Sequence, residues 1–95
     1  MLDIQKRFRG RGYLIESSES DTTNIVCRRG HVYADGGALV AAVNGATRSE
    51  RLRLAKLGEI IMDGDDGELS VKFPPAAFPA VARVMKPRQS ILAAA

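Results

Sequence analysis

Chemically specialised residues are scarce in this chain of 95 residues, which has one cysteine, one histidine and no tryptophan. Because Cys27 stands alone, no disulfide can form within the chain, and a lone cysteine fits a reducing compartment. No stretch approaches the roughly 18 consecutive apolar residues of a membrane-spanning helix, and the N-terminal MLDIQKRFRG lacks the apolar run of a signal peptide. We expect a cytoplasmic protein without a membrane partner.

Few residues of the sequence are candidates for a catalytic or metal site. Zinc takes about four ligands, whereas Cys27 and His31 are the only Cys and His in the sequence. A Cys27 nucleophile with His31 as its base would lack a third group to orient the pair. No glycine-rich phosphate motif occurs, and the acidic run at residues 63–68 fits a hairpin turn better than a calcium loop. The sequence therefore predicts a protein that is not an enzyme and has no catalytic residue, metal or cofactor.

Positive charge, in contrast, is present in clusters. The 14 Lys and Arg exceed the 11 Asp and Glu, which gives a net charge of +3 and a pI near 9.4. A basic balance favours polyanions or acidic protein surfaces as partners. Most of the cations fall into four groups, which are Lys6, Arg7, Arg9 and Arg11; Arg28 and Arg29; Arg48, Arg51, Arg53 and Lys56; and Lys86 and Arg88.

Two helices are predicted in the second half of the chain. Thr47 and Glu50 have the spacing of a capping box, which predicts a helix over residues 48–57. Gly58 then stands where a left-handed cap would end that helix. A second helix opens after two prolines, and its apolar face consists of Phe78, Val81, Ala82 and Met85.

Strand signals occupy most of the remaining chain. The candidate strands are residues 12–16, 24–29 and 31–34, followed by a hairpin of 59–63 and 68–73 in which apolar and polar residues alternate. The apolar run 38–43 fits either a buried strand or the start of a helix. We predict an α+β fold in which a small, mostly antiparallel sheet carries two helices on one face. Along the chain, the first β-strands are followed by elements in the order β-α-β-β-α.

The predicted organisation has three parts. Residues 1–12 form a basic flexible arm or a short frayed helix, residues 13–88 form a single α+β domain, and residues 89–95 form a short C-terminal tail. Flexible Arg/Gly segments follow phosphate backbones, and Phe8 and Tyr13 in this region either stack on bases or pack on the core. The tripeptide at residues 9–11 resembles the centre of an AT-hook, although Phe8 and Gly12 stand in place of its flanking prolines.

Two functions remain open at this stage. The first is a binding module that contacts the backbone of DNA or RNA, and its candidate residues are Lys6, Arg7, Arg9, Arg11, Arg48, Arg51, Arg53 and Lys56. The second is a protein-interaction module, such as a small inhibitor or an assembly subunit, which acts through its surface or through an edge strand among residues 24–35. A homo-oligomer is compatible with either function.

Overall fold

Six strands of the chain form one antiparallel sheet. The structure is a computed structural model that describes residues 3–8, 10–17 and 23–89. In these residues the elements are α1 (Ile4–Arg7), β1 (Ile15–Ser17), β2 (Thr23–Cys27), β3 (Gly30–Asp35), β4 (Ala38–Val43), α2 (Arg48–Ala55), β5 (Glu59–Asp63), β6 (Leu69–Phe73) and α3 (Phe78–Met85), the last preceded by a 3-10 turn at Pro75–Ala77.

The strands follow the order β1-β2-β3-β4-β6-β5, and every neighbouring pair is antiparallel. Strands β1 to β4 form a meander, and α2 then carries the chain past β6 to the far edge. The predicted α+β fold is confirmed, and residues 38–43 are strand β4 rather than a helix. The predicted edge strand among residues 24–35 is wrong, because β2 and β3 each have a neighbour on both sides, which leaves β1 and β5 as the edges of the described sheet.

One face of the sheet forms the hydrophobic core. Ile25, Val32, Ala41 and Val71 lie in register across four neighbouring strands, and all four are fully buried. The period of two in each strand places these residues on the same face. All three helices contribute to this core cluster, which includes Ile4, Phe8, Leu54, Phe78, Val81 and Met85. The helices therefore lie on one side of the sheet and form a helical layer.

The start of α2 agrees with its sequence signal, but its end does not. Thr47 Oγ1 accepts a hydrogen bond from the Glu50 amide at 3.1 Å, and the Glu50 carboxylate accepts one from the Thr47 amide at 2.8 Å, which confirms the capping box. The predicted left-handed cap at Gly58 is wrong, because the residues with positive φ do not include it. Gly58 instead lies against β6, where a Cβ atom would meet the Lys72 carbonyl oxygen at 2.2 Å.

The N-terminal residues pack against the domain. Asp3 caps α1 by accepting a hydrogen bond from the Lys6 amide at 3.2 Å, and both Ile4 and Phe8 are only 3% exposed. Residues 1–2 and 9 of the predicted arm lie outside the described residues. Within the rest of it, Ile4–Arg7 form the short helix that was the alternative to a flexible arm. Apolar residues four apart explain this, because they give even one turn of helix a face to bury.

The C-terminal segment forms backbone hydrogen bonds with β2 and with the residues just before β1. After Lys86, which ends α3 in a left-handed conformation with φ of 56°, the Arg88 amide donates to the Val26 carbonyl at 2.8 Å. The Arg88 carbonyl accepts from the Leu14 amide at 2.8 Å, and Gln89 pairs with Tyr13. The rest of the predicted tail, residues 90–95, lies outside the described residues. Among the helices of the described residues, none is long and apolar enough to cross a membrane.

Candidate nucleic-acid interface

The first predicted cation cluster lies on and just after α1. Lys6 and Arg7 occupy the last turn of this helix and are exposed, since Ile4 and Phe8 occupy its inward side. Arg11 is also exposed, and its guanidinium carbon lies 5.8 Å from the centre of the Phe8 ring. A cation over an aromatic face is attracted by the ring quadrupole, so this contact holds the Arg11 side chain near α1. Arg9 lies outside the described residues.

The aromatic residues of this segment belong to the core. Phe8 packs against Phe78 of α3 with ring centroids 4.5 Å apart, and Tyr13 lies 5.7 Å from the same Phe78 ring. Phe8 is therefore buried in the core, and Tyr13 is half-buried beside it. Of the two roles open for these rings, packing on the core is the one observed. Phe8 is thus too deeply buried to stack on a base.

The second predicted cluster surrounds α2. Arg48, Arg53 and Lys56 are exposed, and Leu54 is the single buried residue of this helix. Arg48 and Arg53 lie on opposite flanks of the helix, because five residues at 100° each separate them by about 140° around its axis. The helix therefore projects cations in several directions from its outer surface.

Arg51 differs from its neighbours because it is already paired. Its Nη1 lies 2.5 Å from Asp63 Oδ2 at the end of β5, and the side chain is 32% exposed. Arg29 is paired as well, through Glu50, and Lys72 Nζ lies 3.5 Å from Asp35 Oδ2. These three ion pairs compensate cations that would otherwise contribute to a positive surface. Arg51 is thus the least available of the predicted binding residues that the structure describes.

Arg83 of α3 is a surface cation that the sequence analysis did not place in any group. It is exposed in the last turn of a helix whose inward residues are Phe78, Val81 and Met85. At 100° per residue, Arg83 lies about 140° from Phe78, on the side away from the core. The apolar stripe of α3 contained this signal, since a residue opposite such a stripe faces solvent.

The two predicted clusters lie on the same side of the molecule. Helix α1 contacts β2, α3 contacts β4 and α2 contacts β6, so α3 lies between the other two helices over the sheet. The exposed cations of this layer, called here the helical-layer cations, are Lys6, Arg7, Arg11, Arg48, Arg53, Lys56 and Arg83. Within the described part of the chain, none of them forms an ion pair with a carboxylate.

A separate group of cations lies at the junction of the β2–β3 turn and the C-terminal segment. Arg28 and Arg88, with Pro87 and Gln89, line a wide, open groove of about 540 Å³. The Arg28 amide donates to the Lys86 carbonyl at 2.9 Å, which fixes the two segments side by side. The sequence placed these residues in two distant pairs, and the docking of the C-terminal segment joins them.

The only cysteine and histidine are held apart by the sheet. Cys27 faces the core, where burial raises the pKa of its thiol to about 12, whereas His31 is in register with Val26 on the opposite face. His31 stacks instead on Tyr33, with ring centroids 5.8 Å apart. The nucleophile–base pair considered from the sequence is thus not formed. Within residues 3–8, 10–17 and 23–89, no three Cys, His, Asp or Glu side chains are grouped to hold a metal ion.

No protein family model, curated protein sequence or solved structure matches this chain.

Proposed function

We propose that this protein is a non-enzymatic binding module that contacts the phosphate backbone of nucleic acid through the helical-layer cations. The observation that carries the proposal is the position of exposed cations on all three helices, on one side of the sheet, without carboxylate partners among the described residues. Seven cations in one layer are a favourable surface for a polyanion. We also expect it to act in the cytoplasm, as a lone cysteine suggests.

The mode of contact follows from the chemistry of the layer. Five of its seven cations are arginines, whose planar guanidinium can donate two hydrogen bonds to one phosphate. The layer contributes no exposed aromatic ring in the described residues, so base stacking has no support there. Contacts to phosphate fix the position of a protein on nucleic acid but do not read its sequence. We therefore expect weak sequence preference.

Salt dependence tests this function most directly. Each phosphate contact releases counterions, so about five contacts would give a slope of log K against log salt near −4.5 on duplex DNA and near −3.5 on single strands. The measurement is fluorescence anisotropy of labelled single-stranded and duplex DNA and RNA of several sequences over a salt series. A flat salt response, or no binding at low salt, contradicts the proposal.

Two double variants of equal charge locate the interface. Arg53→Ser with Arg83→Ser removes two cations from the helical layer, and we expect it to lower the magnitude of the salt slope by about two. Arg28→Ser with Arg88→Ser removes two cations from the groove and serves as the matched control, which should keep the wild-type slope. Equal effects of both variants would mean that net charge, and not the helical layer, determines binding.

A further inference from the structure

The sheet has a second face, called here the open face, on the side away from the helical layer. Val26, His31 and Tyr33 belong to this face, because side chains alternate along a strand and their neighbours in β2 and β3 are buried in the core. His31 and Tyr33 are half-buried there, with ring centroids 5.8 Å apart and planes inclined by 30°. The open face therefore carries a pair of stacked aromatic rings.

Two arginines lie on the same face, at the end of the sheet beside β2. Cys27 faces the core and forms an antiparallel bridge with Pro87. Arg28 and Arg88 each follow a residue of this bridge, so the alternation of side chains directs both away from the core. The two arginines are diagonal neighbours across the bridge, with a separation of about 7–8 Å in an antiparallel pair.

The neighbouring Arg29 agrees with this alternation. Its side chain reaches the helical layer, where it pairs with Glu50 of α2. Arg28 and Arg88 are both exposed, and neither forms an ion pair with a carboxylate within residues 3–8, 10–17 and 23–89. Two positive charges this close repel each other, whereas an anion placed between them attracts both. A phosphate suits this position, because its terminal oxygens can accept hydrogen bonds from both guanidiniums.

The groove lined by these two arginines has the size of a small-molecule site. Its volume of about 540 Å³ lies within the roughly 300–1,000 Å³ that is typical of ligand pockets. Its two walls are held together by backbone hydrogen bonds, from the Arg28 amide to the Lys86 carbonyl at 2.9 Å and from the Arg88 amide to the Val26 carbonyl at 2.8 Å. The backbone of the site is thus preorganised, which lowers the cost of ordering on binding.

The arginines and the aromatic rings lie in one row across the sheet. The Arg88 amide binds the carbonyl of Val26, and Val26 is in register with His31. Because neighbouring strands lie about 4.8 Å apart, the backbones at Arg88 and His31 are separated by about 10 Å. Val26 is half-buried between them and provides an apolar surface. A nucleotide carries its phosphate and its planar base on opposite sides of one sugar, so a single molecule can reach both ends of this row.

We propose that the groove and the adjacent open face bind a free nucleoside phosphate, with the phosphate between Arg28 and Arg88 and the base stacked on His31. Histidine and tyrosine rings are platforms on which bases stack. An acidic peptide or a sugar phosphate would satisfy the arginines but leave the rings without a partner. This site lies on the face opposite the helical-layer cations, and it does not depend on the proposed nucleic-acid function.

The first test is a titration of protein freed of nucleic acid with adenosine 5′-monophosphate, followed by amide NMR. Binding should saturate and should shift the signals of Arg28, Arg88 and His31. Arg28→Ser with Arg88→Ser should raise the dissociation constant at least about tenfold, because charged hydrogen bonds to the phosphate are lost. Arg53→Ser with Arg83→Ser removes the same charge from the helical layer and should leave the constant unchanged. No saturable binding, or equal effects of both variants, would overturn the proposal.

The same pair of variants separates this site from the nucleic-acid interface. The groove variant should lose the mononucleotide and keep the salt slope for oligonucleotides, and the helical-layer variant should do the reverse. Either function can therefore fail without the other. A 5′-phosphorylated single strand that displaces the bound mononucleotide more strongly than free mononucleotide does would mean that a strand end is the ligand, which would overturn the assignment to a free nucleotide.

The second test separates the base from the phosphate. His31→Ala should weaken binding of adenosine 5′-monophosphate at least about fivefold, the effect of losing one contact between a base and an aromatic ring. Binding of ribose 5-phosphate, which lacks the base, should be the same in this variant as in the wild type, and that result also shows that the variant is folded. Equal weakening of both ligands, or no change in either, would mean that His31 does not contact the base and would overturn the proposed arrangement.

Discussion

Arg29 and Glu50 form a bidentate ion pair that joins the β2–β3 turn to the first turn of α2. The Arg29 Nη2 lies 2.9 Å from Glu50 Oε1, and its Nε donates to the other carboxylate oxygen. The same carboxylate accepts from the Thr47 amide, and Arg29 Nη2 also donates to the Gly45 carbonyl at 3.1 Å. One carboxylate thus completes the capping box and holds α2 against the sheet.

Because of this ion pair, we expect the protein to become less stable as the pH falls into the acidic range. The hydrogen bond from Arg29 is the largest cause that lowers the pKa of Glu50 from 4.5 to about 2. Burial opposes it, and the Thr47 amide adds a smaller lowering effect. Because the pKa in the folded state is lowered, the stabilisation is complete above about 4.5, the ordinary value, and is lost as the pH falls toward about 2. Thermal unfolding from pH 7 to pH 2 measures this loss.

Glu50→Gln tests the assignment of this pH dependence. We expect the variant to lower Tm at pH 7 by roughly 4–8 °C, the shift that about 1 kcal/mol produces in a domain of this size after allowance for solvent screening. The difference from the wild type should vanish near pH 2. Glu16→Gln, an exposed residue of β1 with no ion pair among the described residues, is the control and should follow the wild-type curve. A difference that persists at pH 2 would contradict the assignment.

Thr47 should contribute more to stability than its exposed position suggests. Its hydroxyl satisfies the Glu50 amide, and α2 buries only Leu54, so the helix depends on its cap and ion pairs. Thr47→Ala should cost about 1 kcal/mol, which corresponds to a urea midpoint lower by roughly 0.5–1 M. Thr47→Ser retains the acceptor and should unfold near the wild-type midpoint. Equal midpoints for Thr47→Ala and the wild type would mean that the cap is not stabilising.

Sequence patterns predicted those parts of the fold that depend on neighbouring residues. The capping box at Thr47, the hairpin of β5 and β6 and the apolar face of α3 are local, and the structure contains all three. The pairing of strands is not local. The position of β6 between β4 and β5 makes β5 the edge, and no period within a single strand specifies its neighbours. The predicted edge among residues 24–35 was wrong for this reason.

The features of the candidate interface likewise include some that the sequence pattern predicts and others that depend on distant contacts. The exposure of Lys6, Arg48 and Arg53 follows from the helix period. The pairing of Arg51 with Asp63 depends on α2 lying beside the end of β5, and the junction of Arg28 with Arg88 depends on the docking of the C-terminal segment. Those contacts join residues that are distant in sequence, so a charge pattern alone does not reveal them.

Gly58 is required by close packing and not by backbone conformation. A Cβ atom at this position would lie 2.2 Å from the Lys72 carbonyl oxygen and 2.9 Å from the Phe73 Cβ, so the α2–β5 connection must move away from β6. We expect Gly58→Ala to destabilise the protein by about 1–3 kcal/mol. Gly37→Ala is the matched control, because its Cβ would meet nothing within 4 Å and its φ is not positive. Urea unfolding of both variants measures the difference, and equal stabilities would contradict the close approach.

Cys27 should be chemically inert while the protein is folded. Its side chain is only 5% exposed, its Sγ lies 3.5 Å from the Ile25 carbonyl, and burial raises the pKa of the thiol to about 12. The thiolate is the reactive form, so alkylation by iodoacetamide at pH 8 should be far slower at Cys27 than at the new exposed thiol of Ser17→Cys. In urea, the labelling rate of Cys27 should rise with the unfolded fraction. Rapid labelling of native Cys27 would mean that the thiol is accessible and ionised. It would contradict the proposal of a non-enzymatic module and favour a function in which this cysteine reacts.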